Sequence, residues 1–134
     1  MSRDGFNPEV FFNKCNGQGP FVVLIRVQSK KIYGDYNPIG YTGRSRWLSS
    51  TESFIFSFEN DQDINNMKIS RSTNDDNSIL DCRQNSGYFF NFGDMLYVNR
   101  QYLRIGYCTL HYDNVFNKNQ FPIDEIEVFN VKYL

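Results

Sequence analysis

The apolar run Phe21–Val27 constrains the fold of this chain more than any other feature of its sequence. Its sequence, FVVLIRV, has the length of a strand, is almost entirely apolar and is rich in β-branched residues. We therefore predict a central β-strand that is buried on both faces. Residues 28–30 predict a hairpin turn and residues 31–36 the returning strand, in which Gly34 indicates a bulge or the close approach of another group.

Apolar residues elsewhere in the chain predict further strands. Phe54, Phe56 and Phe58 recur at every second position, so they share one face of a strand, which we expect to be its core face. Residues 101–112 predict the longest strand, and residues 126–133 predict the last one. High aromatic content and polar breaks between the short apolar runs are typical of a strand-rich chain.

One short helix is predicted before the first strand. Asn7 has the character of an N-cap and Pro8 of a first helical residue, while Gly17 follows the last helical residue near Cys15. With seven or eight strands and one or two short flanking helices, the predicted fold is mainly β (α+β), a two-sheet antiparallel β-sandwich. The length of 134 residues predicts a single domain over residues 1–134.

Composition excludes several classes of function. The net charge is −1, from 14 basic and 15 acidic residues, whereas a protein that binds nucleic acid usually carries a basic surplus. No apolar stretch is long enough for a membrane span, so we expect no membrane insertion. The 3 cysteines are widely spaced, which predicts free thiols and neither a disulfide framework nor a metal site. Free thiols favour a reducing compartment, and we predict a cytoplasmic protein.

The sequence offers few candidates for catalysis. His111 and Cys108 lie three positions apart, so in a strand they point to opposite faces and form no dyad. Cys15 lies at the C-terminal end of its helix, where the helix dipole disfavours a thiolate, so a peroxide-reducing cysteine is not indicated. No dinucleotide or phosphate-binding loop with the required order of elements is present, and we predict no cofactor.

Two surface segments are candidates for binding a partner, residues 37–51 and residues 124–134. Residues 37–52 predict a long polar loop that contains Arg44, Arg46 and Trp47, which are residue types that anchor protein contacts. Together with Tyr41, these side chains could also clamp a nucleic acid strand, but the overall charge argues against this and favours a surface loop without such a role. Near the end of the chain, Glu127 shares strand parity with Phe129 on an apolar face. We expect a half-buried Glu127 with a structural or interface role rather than a catalytic one.

The order of several short motifs resembles that of a TLDc domain. These motifs are SRDGF at residues 2–6, GP at 19–20 ahead of the strand 21–27, IYG at 32–34, FIFSF at 54–58, FGDMLY at 92–97 and IEVF at 126–129. Their order and spacing match over essentially the whole chain. Residues at family positions are Asp4, Gly5, Gly34, Gly93, Asp94 and Glu127.

The resemblance implies a β-sandwich of two antiparallel sheets flanked by short helices. It also implies a non-catalytic protein-interaction module that protects against oxidative stress and binds subunits of the vacuolar-type proton-pumping ATPase to regulate the pump. The family-position residues are then expected to shape the fold and the partner surface.

Three departures from the family pattern carry further expectations. Only Met1 precedes the SRDGF motif, so we expect the domain to lack the first strand of the family and to pair its open edge with another chain or an upstream segment. Phe129 stands where the family usually has Trp. Residues 67–72 resemble the divergent fungal branch, in which the domain often follows BTB and BACK domains. That branch implies an alternative function, as the substrate-recognition or scaffolding module of a BTB-type ubiquitin-ligase adaptor.

Overall fold

The computed structural model describes residues 8–42, 47–59, 64–72, 79–80, 90–92, 96–99, 102–106 and 119–132. Within these ranges the chain forms the helix α1 (Pro8–Cys15), a 3₁₀ turn (Ile64–Asn66) and ten strands. The strands are β1 (Phe21–Val27), β2 (Ile32–Asn37), β3 (Trp47–Leu48), β4 (Phe54–Phe58), β5 (Lys68–Arg71), β6 (Ile79–Leu80), β7 (Phe90–Phe92), β8 (Leu96–Asn99), β9 (Tyr102–Ile105) and β10 (Asn119–Asn130).

One large antiparallel sheet dominates the described part of the chain. Its strand order is β5-β4-β2-β1-β10-β9-β8-β7, and β3 and β6 form a separate antiparallel pair. Residues 123–130 of β10 pair with β1, and residues 119–122 of the same strand pair with β9. The long strand β10 therefore belongs to both halves of the sheet.

The two halves of the sheet fold over a common core. The rings of Phe21 on β1 and Phe90 on β7 have centroids 5.9 Å apart, although β10, β9 and β8 separate these strands in the sheet order. Buried residues from both halves also belong to one hydrophobic cluster. The predicted mainly β, antiparallel fold is confirmed, and the layers of the sandwich are the halves of one sheet.

Strand β1 lies at the centre of the sheet, as predicted, but only one of its faces is fully buried. Phe21, Val23, Ile25 and Val27 are 0% exposed, whereas the alternate residues Val22, Leu24 and Arg26 are half-buried. The prediction of burial on both faces was wrong because an antiparallel sheet can pack one face on the core and leave the other partly open. We call these the inner face and the outer face.

The core-facing and outward-facing sides of β4 are the reverse of those predicted. Ile55 is 0% exposed and belongs to the core, whereas Phe54, Phe56 and Phe58 lie on the outer face. The pairing with β2 determines which residues of β4 face the core, because Ile55 lies opposite Asp35 and Phe56 lies opposite Gly34. No bulge interrupts the register at Gly34, so the prediction of a close approach is the correct alternative for this glycine.

Helix α1 begins at Pro8 and ends at Cys15, as predicted. Gly17 follows with a φ of +71°, a left-handed conformation that suits glycine at a helix C-terminus, and its N–H donates a 2.8 Å hydrogen bond to the Tyr41 carbonyl. Tyr41 is 1% exposed, and its ring packs against Phe21 with centroids 4.9 Å apart. The predicted polar loop over residues 37–52 was therefore only partly right, since it contains a core residue and the strand β3.

The ends of the later strands differ from their predicted bounds. In the described residues the longest strand is β10 rather than residues 101–112, of which Tyr102–Ile105 form β9. The last strand begins earlier than the predicted residue 126, so Asp124 and Glu125 lie within β10. Gly93 and Asp94 lie outside the described residues, and the strands before and after them, β7 and β8, pair in antiparallel fashion.

Candidate functional site

The outer face brings together three of the residues predicted from the sequence. One row of directly paired residues crosses five strands in the order Ile69, Phe56, Gly34, Leu24 and Glu127. Residues paired in this way project to the same face of a sheet. Gly34 and Glu127, which lie far apart in the sequence, therefore share one surface.

The adjacent row of the outer face adds the third predicted residue. It runs Arg71, Phe54, Tyr36, Val22 and Phe129. Phe129 is 48% exposed, and its neighbour across the pair, Val22, is half-buried. This row places an accessible aromatic ring next to the Glu127 row.

Aromatic rings cover the part of the outer face formed by β2 and β4. Ring centroids lie 5.5 Å apart for Tyr36 and Phe54, 5.9 Å for Phe54 and Phe56, and 5.7 Å for Phe56 and Phe58. The Arg71 guanidinium carbon lies 5.9 Å from the Phe54 ring centroid, within range of a cation–π interaction. The ring of Phe56 occupies the space beside Gly34, and Phe56 is 7% exposed. This end of the face is already closed by its own side chains.

The charges on β10 differ in whether they are paired. Arg26 Nη1 lies 3.3 Å from Glu125 Oε2, so these two residues form an ion pair across β1 and β10. Glu127 is exposed, and its carboxylate has no ion pair or side-chain hydrogen bond in the described part of the chain. The prediction of a half-buried Glu127 on a core-facing strand side was wrong, because Ile126 and Val128 supply the buried face of β10.

The remaining predicted site residues do not join this face. Trp47 is half-buried in β3, where it pairs with Leu80 of β6. Asp4, Gly5, Arg44, Arg46, Gly93 and Asp94 lie outside the described residues. The candidate site is therefore built from Gly34, Glu127 and Phe129 with their neighbours on β1.

The inner face contains a buried carboxyl group that was not predicted. Asp35 is 0% exposed and lies opposite Val23 and Ile55. Neither of its carboxylate oxygens has a hydrogen-bond partner in the described structure, and Asn37 Nδ2 and Ser57 Oγ are likewise unpaired there. Burial without a partner raises the pKa of Asp35 well above its ordinary value. A neutral carboxylic acid is the form that this environment favours.

Cys15 is a buried thiol on the same side of the sheet. It is 0% exposed, and burial raises its pKa to about 12. The charge of Lys14 opposes this shift, but the effect of burial is larger. The expected disfavoured thiolate is confirmed, but burial rather than the helix dipole is its main cause. A thiol in this state is a poor nucleophile.

Other kinds of site find no support among the described residues. They include no group of three or more His, Cys, Asp or Glu side chains that could hold a metal ion. None of the described helices has the length and apolar character needed to cross a bilayer. His111, Cys82 and Cys108 lie outside the described ranges, so the predictions for them stay predictions.

Comparison with known proteins identifies the family. The family model for the TLDc domain matches residues 1–132, which is nearly the whole chain. The chain therefore belongs to the TLDc domain family. No curated protein matches it significantly.

Sequence reasoning did not predict the burial of Asp35 and Tyr41, for different reasons. Asp35 lies in the segment IYGDY, where apolar residues occupy both faces, so alternation did not assign the aspartate to the core. Tyr41 lies in a polar stretch, and only its neighbours in space reveal that it closes the core beside α1. A buried position in an irregular segment leaves no periodic signal.

Proposed function

We propose that this domain is a non-catalytic protein-interaction module that regulates the vacuolar-type proton-pumping ATPase and thereby supports resistance to oxidative stress. The observation that carries the proposal is the outer face, where an exposed aromatic ring lies beside a carboxylate that has no ion-pair partner among the described residues, on a chain of the TLDc family. Exposed aromatic side chains on a firm scaffold are typical anchors of protein interfaces.

The state of the described thiol supports a binding role over an antioxidant enzyme. A peroxide-reducing cysteine must be accessible and present as a thiolate, whereas Cys15 is buried and its pKa is raised. Protection from oxidants would then be an indirect result of changed pump activity rather than of chemistry at this cysteine.

Proton pumping by vesicles that carry the vacuolar ATPase tests the proposal. The purified folded chain is added at increasing concentration, and acidification of the vesicles is followed with a pH-sensitive dye. We expect a dose-dependent change in the pumping rate. The matched control is a folded Gly93→Arg variant, which alters a family position and should lose the effect.

An unchanged pumping rate with a well-folded chain would overturn the pump-regulator proposal. The alternative function would then be the recruitment module of a BTB-type ubiquitin-ligase adaptor. That alternative predicts co-purification with a ubiquitin ligase scaffold when the domain is joined to its BTB region.

A further inference from the structure

We propose that the outer face around Glu127 and Phe129 binds an amphipathic helix that carries one lysine or arginine within its apolar stripe. The inference rests on the proposed function as a protein-interaction module and names the surface and the chemistry of the partner segment. Four residues define the docking surface: Val22 and Leu24 on β1, and Glu127 and Phe129 on β10.

The position of the docking surface within the sheet favours a helix over an added strand. β1 is paired with β2 on one side and with β10 on the other, so the backbone groups beneath Val22 and Leu24 are already used. A partner must therefore contact side chains. A helix satisfies its own backbone hydrogen bonds and can lie on a sheet with its apolar stripe downward.

The dimensions of the docking surface agree with this choice. Neighbouring strands lie about 4.8 Å apart, so β10, β1 and β2 together span about 10 Å between their axes. An α-helix with its side chains is about 10 Å in diameter. On one side the docking surface is bordered by the packed rings of Tyr36 on β2 and Phe54 on β4.

The negative charge of Glu127 determines which kind of helix can bind to the docking surface. Glu127 is unpaired among the described residues, whereas its neighbour Glu125 is paired with Arg26. A wholly apolar helix would bury the Glu127 carboxylate without a counter-charge, which is costly. One cation at the matching position of the helix removes that cost.

A second copy of this chain is a poorer occupant of the same surface. In a face-to-face dimer the docking surface of the partner copy would bring a second Glu127 and no positive charge, because none of the four residues that define this surface is a cation. Arg26 already pairs with Glu125, and Arg71 stacks on Phe54 at the far end of its row. Charge complementarity thus favours a partner helix that carries one cation within its apolar stripe.

The test uses a designed helical peptide of about five turns with a leucine stripe and one central lysine in that stripe. A matched peptide has glutamate in place of the lysine. Fluorescence anisotropy measures the binding of each labelled peptide to the intact chain. We expect the lysine peptide to bind at least about tenfold more tightly, and we expect Glu127→Lys to reverse the preference.

A second pair of variants tests the aromatic anchor. Phe129→Ala should weaken binding of the lysine peptide by roughly tenfold or more, as expected for an interface anchor. Tyr102→Ala is the matched control, because Tyr102 is a 41% exposed aromatic residue on β9, outside the docking surface. That variant should bind like the unaltered chain.

Several outcomes would overturn the inference. These are no binding of either peptide by the folded chain, a preference that Glu127→Lys leaves unchanged, or self-association in sedimentation that Phe129→Ala abolishes. The assay contains no proton pump. Peptide binding without an effect on pumping would therefore reject the pump proposal alone, and a pumping effect without peptide binding would reject this inference alone.

Discussion

The ring of Phe56 fills the space where a β-carbon on Gly34 would stand: that atom would overlap Phe56 Cζ and would lie 2.6 Å from the Val23 carbonyl oxygen. The ring could turn away, but the carbonyl belongs to the paired backbone of β1 and cannot. Glycine is thus required at position 34 by close packing across three strands, although its φ is not left-handed.

Gly34→Ala should lower the free energy of unfolding by about 1–3 kcal/mol, the usual cost of forcing an extra carbon into a packed site. Urea denaturation followed by tryptophan fluorescence measures this change. Combining the substitution with Phe56→Ala should cost less than the sum of the two single changes, because removal of the ring relieves part of the clash. A Gly34→Ala variant as stable as the parent chain would contradict the packing described here.

Asp35 makes the stability of the domain depend on pH. Its pKa is raised in the folded state, so between the unfolded pKa of about 3.9 and the folded value the unfolded chain releases a proton that the folded chain keeps. The stability that Asp35 contributes should therefore be fully present below the unfolded pKa and should fall as pH rises through this window, by up to about 1.4 kcal/mol per pH unit.

The variant Asp35→Asn removes this titration, so its stability should change less with pH over the same window. Urea midpoints measured from pH 4 upward compare it with the parent chain. Glu52→Gln alters an exposed carboxylate and is the matched control, which should keep the parent pH profile. Identical profiles for the parent chain and Asp35→Asn would show that this carboxyl is not the source of the dependence.

Cys15 should resist alkylation in the folded protein. In a variant with Cys82→Ser and Cys108→Ser, iodoacetamide at pH 8 should modify Cys15 roughly a thousandfold more slowly than an exposed thiol, because its thiolate is scarce and buried. Mass spectrometry follows the reaction, and the same sample in urea should react promptly. Rapid alkylation under native conditions would remove the argument against an accessible redox thiol.

Tyr41 should contribute strongly to stability despite its position in an irregular segment. Tyr41→Ala removes a ring that packs against Phe12, Phe21 and Phe90, and it should cost about 3 kcal/mol or more. Ile39→Ala, two positions earlier and 43% exposed, should change stability by less than about 0.5 kcal/mol. Thermal unfolding of both variants checks this contrast, and equal effects would contradict it.

Local sequence signals predicted the positions of the helix and strands better than they predicted which face of each strand is buried. Pro8 and Gly17 set the bounds of α1, and the turn after Val27 fixed the first hairpin. The strand FIFSF was assigned to the wrong face because its aromatic residues outweigh Ile55 and Ser57 in hydrophobicity. Which residues of β4 face the core depends on the space that Gly34 leaves beside β2 for the Phe56 ring. This information is absent from the sequence of β4 itself.

The candidate site was predicted in part. Gly34, Glu127 and Phe129 were each selected from the sequence, and the register of β2, β1 and β10 brings them onto one face. Their proximity could not be derived from the sequence, because it depends on long-range pairing. Within the part of the chain that the structure describes, Glu127 has no ion-pair partner, and Arg26 pairs with Glu125 instead.

The double role of β10 has a consequence for synthesis of the protein. Phe21 on β1 pairs with Asn130 on β10, so β1 cannot complete its pairing until β10 has left the ribosome. Until then the nascent chain exposes the apolar side of β1, a state that invites chaperone binding or aggregation. A premature stop shortly before β10 would therefore leave an unfolded polypeptide for degradation rather than a slightly shortened domain.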